Sequence, residues 1–348
     1  MHKDEVIIPI ERIINRRNII LHCGKIKKLD INNHVILLDE EAVDFNYLVL
    51  ALDSKSNFYD VQGLDENSFT LQSYEDANKI YSQIIQLCAK ASSEFDPEKR
   101  KDKLRFFVGG GGLAGVEFAA ELSDYVNESI SKYSLNENDL EILVVEAASK
   151  ILPNTAEYIR SRVLEKLQKK NVKVLTGTRI VKLTEDEVKF SSGRSLKTKT
   201  LIWTGGIRIT GLIKESGLET GMQGGVIVDE YLRAKGHKNI YVLGDNALAI
   251  NPTTKNPVPA AAQFALQQGR LAAKNIFNDV YGGEKEIYKP RLWGEFISLG
   301  KHLAAGWLSL PTSRRISFAG FLANLLYTAI REKHIFLLRK ESRNWITC

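Results

Sequence analysis

The run from Leu104 to Leu122, Leu-Arg-Phe-Phe-Val-Gly-Gly-Gly-Gly-Leu-Ala-Gly-Val-Glu-Phe-Ala-Ala-Glu-Leu, constrains the fold of this chain more than any other segment. A short apolar strand ending at Val108 passes into Gly110-x-Gly112-x-x-Gly115, and an Ala-rich helix follows at once. In that order each glycine has its own task. Gly110 permits the tight turn, Gly112 lets backbone approach a pyrophosphate, and Gly115 lets the helix pack close on the strand. The free N–H groups and positive dipole end of the helix then face the phosphates. A second apolar strand, Glu141 to Glu146, ends in a carboxylate placed to hold the hydroxyls of an adenosine ribose. Its separation from Gly110 exceeds the usual ~20 residues, and the polar stretch from Asn127 to Asp139 accounts for the excess. Ala147 and Ala148 follow Glu146, so a 2′-phosphate would meet a negative charge and no basic residue. The expected dinucleotide is NADH rather than NADPH.

Two segments align without gaps at an offset of 153 residues, Val35 to Ser54 over Val188 to Ile207. Both read as a strand, a polar turn, and a second apolar strand ending in a tight turn. Further strands are expected upstream: Ile19 to Cys23 and Lys25 to Leu29 in the first copy, Val172 to Leu175 and Ile180 to Leu183 in the second. A β-meander followed by a return to a parallel sheet, twice over, predicts two dinucleotide-binding domains. The glycine turn at Gly110 precedes Val188 by 78 residues, and the same count back from Val35 runs about 43 residues past Met1. A strand–turn–helix–strand unit takes ~30 residues or more, so the first copy is expected to lack one, as if the chain began in mid-domain. Downstream, Gly225 to Asp229 and Asn239 to Asn246 read as strands returning to the first domain. The second ends in Gly244-Asp245, a carboxylate that can accept from a cofactor hydroxyl or serve only as a turn residue. The Pro-rich loop from Pro257 then enters a helix whose Gln263 and Gln267 share one face near its start.

With 348 residues, 44% hydrophobic and 26% charged, the chain can form two or three domains. Cys23, Cys88 and Cys348 are isolated, which argues against a disulfide framework, a redox dithiol and a zinc site. The N-terminus has no apolar export segment, and no apolar run approaches the ~20 residues of a membrane span. The net charge of +6 is uneven: from Lys285 to Cys348, eleven Lys and Arg stand against four Glu, a local net of +7. These basic residues alternate with aliphatic stretches and not with an aromatic platform, which favours a membrane surface over nucleic acid. Phe318, Phe321, Leu322, Leu325 and Ala329 recur at helical spacing. They predict an amphipathic helix over 316–330, flanked by Arg314, Arg315 and Arg331, lying in the headgroup plane.

With these residues assembled, the chain resembles the type II NADH:quinone oxidoreductases, single-subunit NADH dehydrogenases that pump no protons. The marks are Gly110-x-Gly112-x-x-Gly115-Val116-Glu117, Val145-Glu146-Ala147, Leu201-Ile-Trp-Thr-Gly-Gly-Ile-Arg208, Leu243-Gly-Asp245 and Ala262-Gln-Phe-Ala-Leu-Gln267. The resemblance implies an α/β fold of two Rossmann-like dinucleotide-binding domains, the first incomplete and discontinuous, plus a C-terminal helical membrane-associated segment. Residues 1–100 and 211–284 would form the FAD-binding domain, 101–210 the NADH-binding domain and 285–348 the membrane anchor. Implied cofactors are FAD and NADH. Implied partners are a membrane quinone and the bilayer surface at the cytoplasmic face of the cell membrane, with a homodimer left open. Glu117, Gln263 and Gln267 take the catalytic places, near the nicotinamide and at the flavin–quinone boundary. Gly110, Gly112, Gly115, Glu146, Gly205 and Gly206 would line the NADH side, and Gly244, Asp245 and Ala262 the FAD side. Three departures stand out: the missing first glycine turn, Asp53 where the family turn and this chain's own Gly206 have glycine, and Pro259-Ala-Ala261 in place of Pro-Pro-Thr. Disulfide reductases and sulfide:quinone reductases need cysteines that this pattern lacks. The alternative expectation is an impaired NADH-binding remnant that holds no FAD.

Overall fold

The computed structural model describes residues 7–14, 18–310 and 315–343, so Arg314 and Cys348 lie outside the described residues. The first repeat begins as an antiparallel meander of β1 (Lys28–Asp30), β2 (Val35–Leu37) and β3 (Ala42–Asp44), followed by β4 (Leu48–Leu50) and β5 (Lys55–Ser56). The glycine segment supplies β6 (Arg105–Gly109), with β7 (Glu141–Val145) and β8 (Val172–Leu175) beside it. A second meander, β9 (Ile180–Leu183), β10 (Glu187–Phe190) and β11 (Ser195–Lys197), leads into β12 (Thr200–Trp203). The 153-residue offset lays β3 on β11 and β4 on the end of β12, so the sequence repeat is a structural one.

β12 returns to pair with β6, giving a four-stranded parallel sheet in the order β12-β6-β7-β8. All five residues of β6 are buried, because both faces of the sheet are covered. Phe106 and Val108 pack with Val116, Ala119 and Ile130 of the helix Leu113–Lys132 and with Ile80 and Ile84 of the helix Tyr74–Ser92. Phe107 points to the opposite face, among Val188, Phe190 and Leu201 of the second meander and its return strand. The two-residue alternation of a strand thus divides one segment between two cores.

The chain crosses back through β13 (Ile207–Arg208), which pairs with β5, and reaches β14 (Val226–Ile227), β15 (Ile240–Val242) and β16 (Ala247–Leu248). β15 lies parallel to β4. At matching places in the repeat, Ile202 of β12 is 0% exposed and Val49 of β4 is 42% exposed. Each strand has one ladder partner in its sheet, β6 and β15, so the difference lies in the face. Ile202 packs in a core with helix residues such as Ile80 and Val116, and Val49 belongs to no core among the described residues. The helix Ala262–Tyr281 follows, then an antiparallel sheet of β17 (Gly294–Ser298), β18 (Ala304–Ser309) and β19 (Arg315–Gly320), and the C-terminal helix Phe321–Arg343.

Three expectations are corrected. Ile19 to Cys23 forms no strand, and only the end of the next expected strand is realised, as β1. The segments at Gly225 and Asn239 shrink to β14 and β15. The helix expected from Ile316 starts only at Phe321: Gly320 adopts φ 78°, and the residues before it pair with β18. Phe318 therefore stacks on Phe296 within the sheet and takes no part in a helical stripe. Within the helix, Phe321, Leu322, Leu325, Ile330 and Phe336 are exposed, while Ala323 is buried against the sheet side. No helix among the described residues is long and apolar enough to cross a membrane.

Candidate functional site

The site grows from the ends of β6 and β12, where connections leave the sheet in opposite directions, the place at which doubly wound sheets take ligands. Gly110 adopts φ 113°, and a Cβ there would fall 2.7 Å from the Gly205 Cα. The turn after β6 and the turn after β12 therefore touch backbone to backbone. The Thr204 hydroxyl ties them further by donating to the Gly109 and Gly110 carbonyls at 3.0 and 3.3 Å. A Cβ on Gly115 would sit 2.0 Å from the Gly110 carbonyl oxygen, so the helix can rest this close to the turn only without a side chain. Gly112 is different. A Cβ there meets nothing within 4 Å, and Gly112 caps the helix Leu113–Lys132 with no side chain on its free N–H groups. The open space over Gly112, at a positive helix end, would suit an anion as a cradle. Glu146, at the end of β7, accepts from the Gly111 N–H at 2.6 Å and from the Ala148 N–H at 2.7 Å, which fixes its carboxylate at the rim of the cradle.

The three residues expected to be catalytic are joined by β17. At its start, the Gln263 amide donates to the Gly294 carbonyl at 3.2 Å, and its oxygen accepts from the Trp293 N–H at 3.3 Å. Gln267 clasps Arg291 in the same way, donating at 2.8 Å and accepting at 2.9 Å. Both amides are thus engaged with the backbone of the 291–294 segment. At the other end of β17, ~13 Å away by strand rise, Glu117 accepts from the Ser298 N–H at 2.8 Å. Glu117 is the fifth residue of its helix, just past the first turn. Burial pushes its carboxyl above the ordinary 4.5, with Glu121 adding like-charge repulsion against the opposing bond from Ser298. Burial likewise raises the hydroxyl of Tyr327, on the C-terminal helix, and Glu117 is the first charge acting on it.

The raised value has a defined sign. The folded protein holds a proton on Glu117 that the unfolded chain releases, so stability falls as pH rises above 4.5 through the folded-state value. Glu117→Gln keeps an acceptor for Ser298 and is expected to melt higher than the parent near neutral pH, with the two converging below pH 4.5. Melting curves across that range check this; an equal or lower melting temperature for the variant at neutral pH would contradict it.

Gly244 and Asp245 form a turn after β15, with Gly244 at φ 61°. The Ser54 hydroxyl donates to Asp245 at 3.4 Å, while Asp53 turns back on the Ser54 N–H. A residue that sequence reasoning missed holds this turn. Buried Gln268 accepts from the Gly244 N–H at 2.7 Å and donates to the Tyr288 hydroxyl at 3.4 Å. The signal was present, one position past Gln267, on the inward face of the helix. Gly244, Asp245, Pro259, Ala261, Ala265 and Gln268 border a cleft of about 280 Å³. Ala262, beside it, opens a helix with no side-chain cap. The neighbouring Asn246 is 0% exposed, and neither end of its amide has a partner among the described residues. Such an orphan is costly unless something else satisfies it.

Comparison with known proteins adds to this geometry. The profile of the pyridine nucleotide-disulphide oxidoreductase family matches residues 7–269. The chain is 30% identical over 307 residues to the type II NADH:quinone oxidoreductase of Staphylococcus saprophyticus, covering 87% of this chain and 75% of that one. It is 29% identical over 310 residues to the Staphylococcus aureus protein of the same name, covering 88% and 76%. Among solved structures, NDH2 of Plasmodium falciparum in complex with NADH superimposes with a TM-score of 0.79 at 20% identity, over 92% of this chain and 81% of that one. The sulfide:quinone oxidoreductase of Aquifex aeolicus follows with 0.72 at 18%, over 91% and 75%.

Proposed function

We propose, for a chain that belongs to the pyridine nucleotide-disulphide oxidoreductase family and within it to the type II NADH:quinone oxidoreductases, that NADH lies across the ends of β7, β6 and β12. The adenosine ribose sits at Glu146, the pyrophosphate over Gly112, and the nicotinamide towards Gly205 and Gly206. The open cradle at Gly112, bounded by an anchored carboxylate on one side and a second glycine turn on the other, is the observation that carries this reading.

FAD, the family's other cofactor, fits the cleft at Gly244 and Asp245. The Gly244–Asp245 turn held by Gln268, and the uncapped helix start at Ala262 beside the cleft, are what such a group would meet. When bound, FAD supplies the two-electron relay between NADH and quinone. The chain's own groups do the rest. The N–H groups at Ala262 and Gln263 favour negative charge arriving in the cleft. Gln263 and Gln267 hold the 291–294 segment against the helix, and so fix the strand that carries Ser298 to Glu117. Glu117, whose carboxyl burial holds above its ordinary value, is the chain's candidate proton donor for a reaction that converts NADH, a proton and quinone into NAD⁺ and quinol without pumping protons.

In this reading, residues 101–210 form the NADH unit, 1–100 with 211–284 the flavin unit, and 285–348 the attachment to the membrane. The exposed apolar face of the C-terminal helix and the local net charge of +7 support peripheral contact with an anionic bilayer, on the cytoplasmic side where NADH is available.

The nucleotide assignment predicts that NADPH binds roughly a hundredfold more weakly than NADH, because its 2′-phosphate is brought against the Glu146 carboxylate. Glu146→Ala should narrow that ratio to within about tenfold. Equal dissociation constants for the two nucleotides in the parent protein would refute the assignment.

A further inference from the structure

The crossing segment from β5 to the helix Leu64–Asn67 carries an unusual turn. Tyr59 and Asp60 are consecutive non-glycine residues in the left-handed region, at φ 49° and 55°. A bulky tyrosine is rare in that conformation, which an aspartate tolerates, and strain at the tyrosine persists only where surrounding contacts impose it. The contacts here are many. The Asn57 N–H donates to the Gly206 carbonyl at 2.9 Å, and the Trp203 indole donates to the Asn57 carbonyl at 2.8 Å. The Asn57 side chain accepts from the Tyr59 N–H at 3.0 Å, and the Val61 N–H donates to the Phe58 carbonyl at 3.0 Å. Phe58 and Val61, on either side, pack into the core around Phe107 and Leu143. The anchoring leaves Tyr59 outside that core and 56% exposed.

Its hydroxyl end lies on Gly206. A Cβ on Gly206 would fall 2.4 Å from the Tyr59 hydroxyl oxygen and 3.3 Å from the ring carbon that bears it. Gly206 itself adopts φ 144°, so the turn after β12 presents bare backbone to the tyrosine. The order β12-β6-β7 places this contact at one end of the cleft and Glu146 at the other, with the Gly112 cradle between them.

Resting on the NADH orientation given above, we propose that Tyr59 covers the nicotinamide end of the cleft, its ring closing over the nicotinamide ribose from the side of Gly206. The ring supplies the contact, and the strained turn holds it in place before the nucleotide arrives. Tyr59 is a binding residue for the reduced nicotinamide half of the dinucleotide, and the adenosine half does not depend on it.

The test compares NADH with ADP-ribose, which keeps the Glu146 and Gly112 contacts but has no nicotinamide. In the full chain, Tyr59→Ala should raise the NADH dissociation constant about tenfold and leave that of ADP-ribose within about twofold of the parent. Tyr59→Phe keeps the ring and should bind NADH within about threefold of the parent. Tyr59→Gly relieves the backbone strain. It should melt no lower than the parent while binding NADH as weakly as the alanine variant. The proposal is overturned if Tyr59→Ala binds NADH as the parent does, if it weakens NADH and ADP-ribose equally, or if Tyr59→Gly melts several degrees lower. Parent protein that binds neither NADH nor ADP-ribose would remove the dinucleotide reading and this proposal with it. Parent protein that binds both, beside a Tyr59→Ala variant indistinguishable from it, would remove this proposal alone.

Discussion

Gly115→Ala and Gly112→Ala are expected to damage NADH binding in different ways. At Gly115 the added methyl would lie 2.0 Å from the Gly110 carbonyl oxygen and 2.6 Å from the Thr204 hydroxyl, atoms that together hold the two turns in contact. Nothing there is the free end of a flexible side chain, so the helix must move off the turn. Overpacking of this kind costs ~1–3 kcal/mol of stability, and a displaced helix end no longer points its N–H groups at the phosphates. We expect a lower melting temperature and an NADH dissociation constant roughly a hundredfold higher. At Gly112 the methyl meets open space and the backbone is extended, so the protein should melt as the parent does. In the proposed orientation the same methyl stands where the pyrophosphate would come, and NADH affinity should fall by a similar factor. Calorimetric melting with nucleotide titration separates the two. A Gly112→Ala protein that binds NADH normally would show that the cradle is not the pyrophosphate site.

The second large effect concerns the membrane. Removing everything from Arg314 onward would strip β19 from its sheet and expose Ala323's partners, so substitutions on the outer face of the C-terminal helix are the cleaner probe. Leu322→Glu combined with Leu325→Glu places two charges where apolar area would otherwise enter the lipid. Burial is worth ~25 cal/mol per Å² of apolar surface, and each basic residue near anionic lipid adds ~1 kcal/mol. Neither contribution alone holds a protein firmly. The double variant is therefore expected to stay in the supernatant when mixed with phosphatidylserine-containing vesicles that sediment the parent protein. High salt should weaken binding of the parent without abolishing it, since only the charged part is screened. Sedimentation of the double variant with the vesicles would place the attachment elsewhere.

What was legible in the sequence is what depends on neighbours along the chain. The glycine turn could be read because strand, turn and helix are contiguous and each glycine answers a local steric demand. The repeat could be read because both copies keep strand lengths and turn positions at one offset. The C-terminal segment was misread where two periods compete. The residues from Ile316 to Ala319 fit a two-residue alternation as well as the start of a helical stripe. Gly320, at φ 78°, was the visible sign of a corner between them. The glutamines show a different limit. Their spacing gave the shared helical face, but the partners at 291–294 are reached only through folding, and nothing local tells an amide that meets a cofactor from one that clasps a strand. Gln268 and Tyr59 were missed for the same reason, since their importance lies in contacts with Gly244 and Gly206, each far away in sequence.

The central claim is that this chain moves electrons from NADH to a quinone through the cleft described. Steady-state oxidation of NADH by the full chain supplied with FAD, followed at 340 nm with menadione as the acceptor, tests it most directly. The account predicts oxidation that saturates in both NADH and menadione, a kcat/KM for NADH roughly a hundredfold above that for NADPH, and near-background rates in Gly112→Ala. No menadione-dependent oxidation of NADH, or oxidation of NADPH at an equal rate, would contradict it.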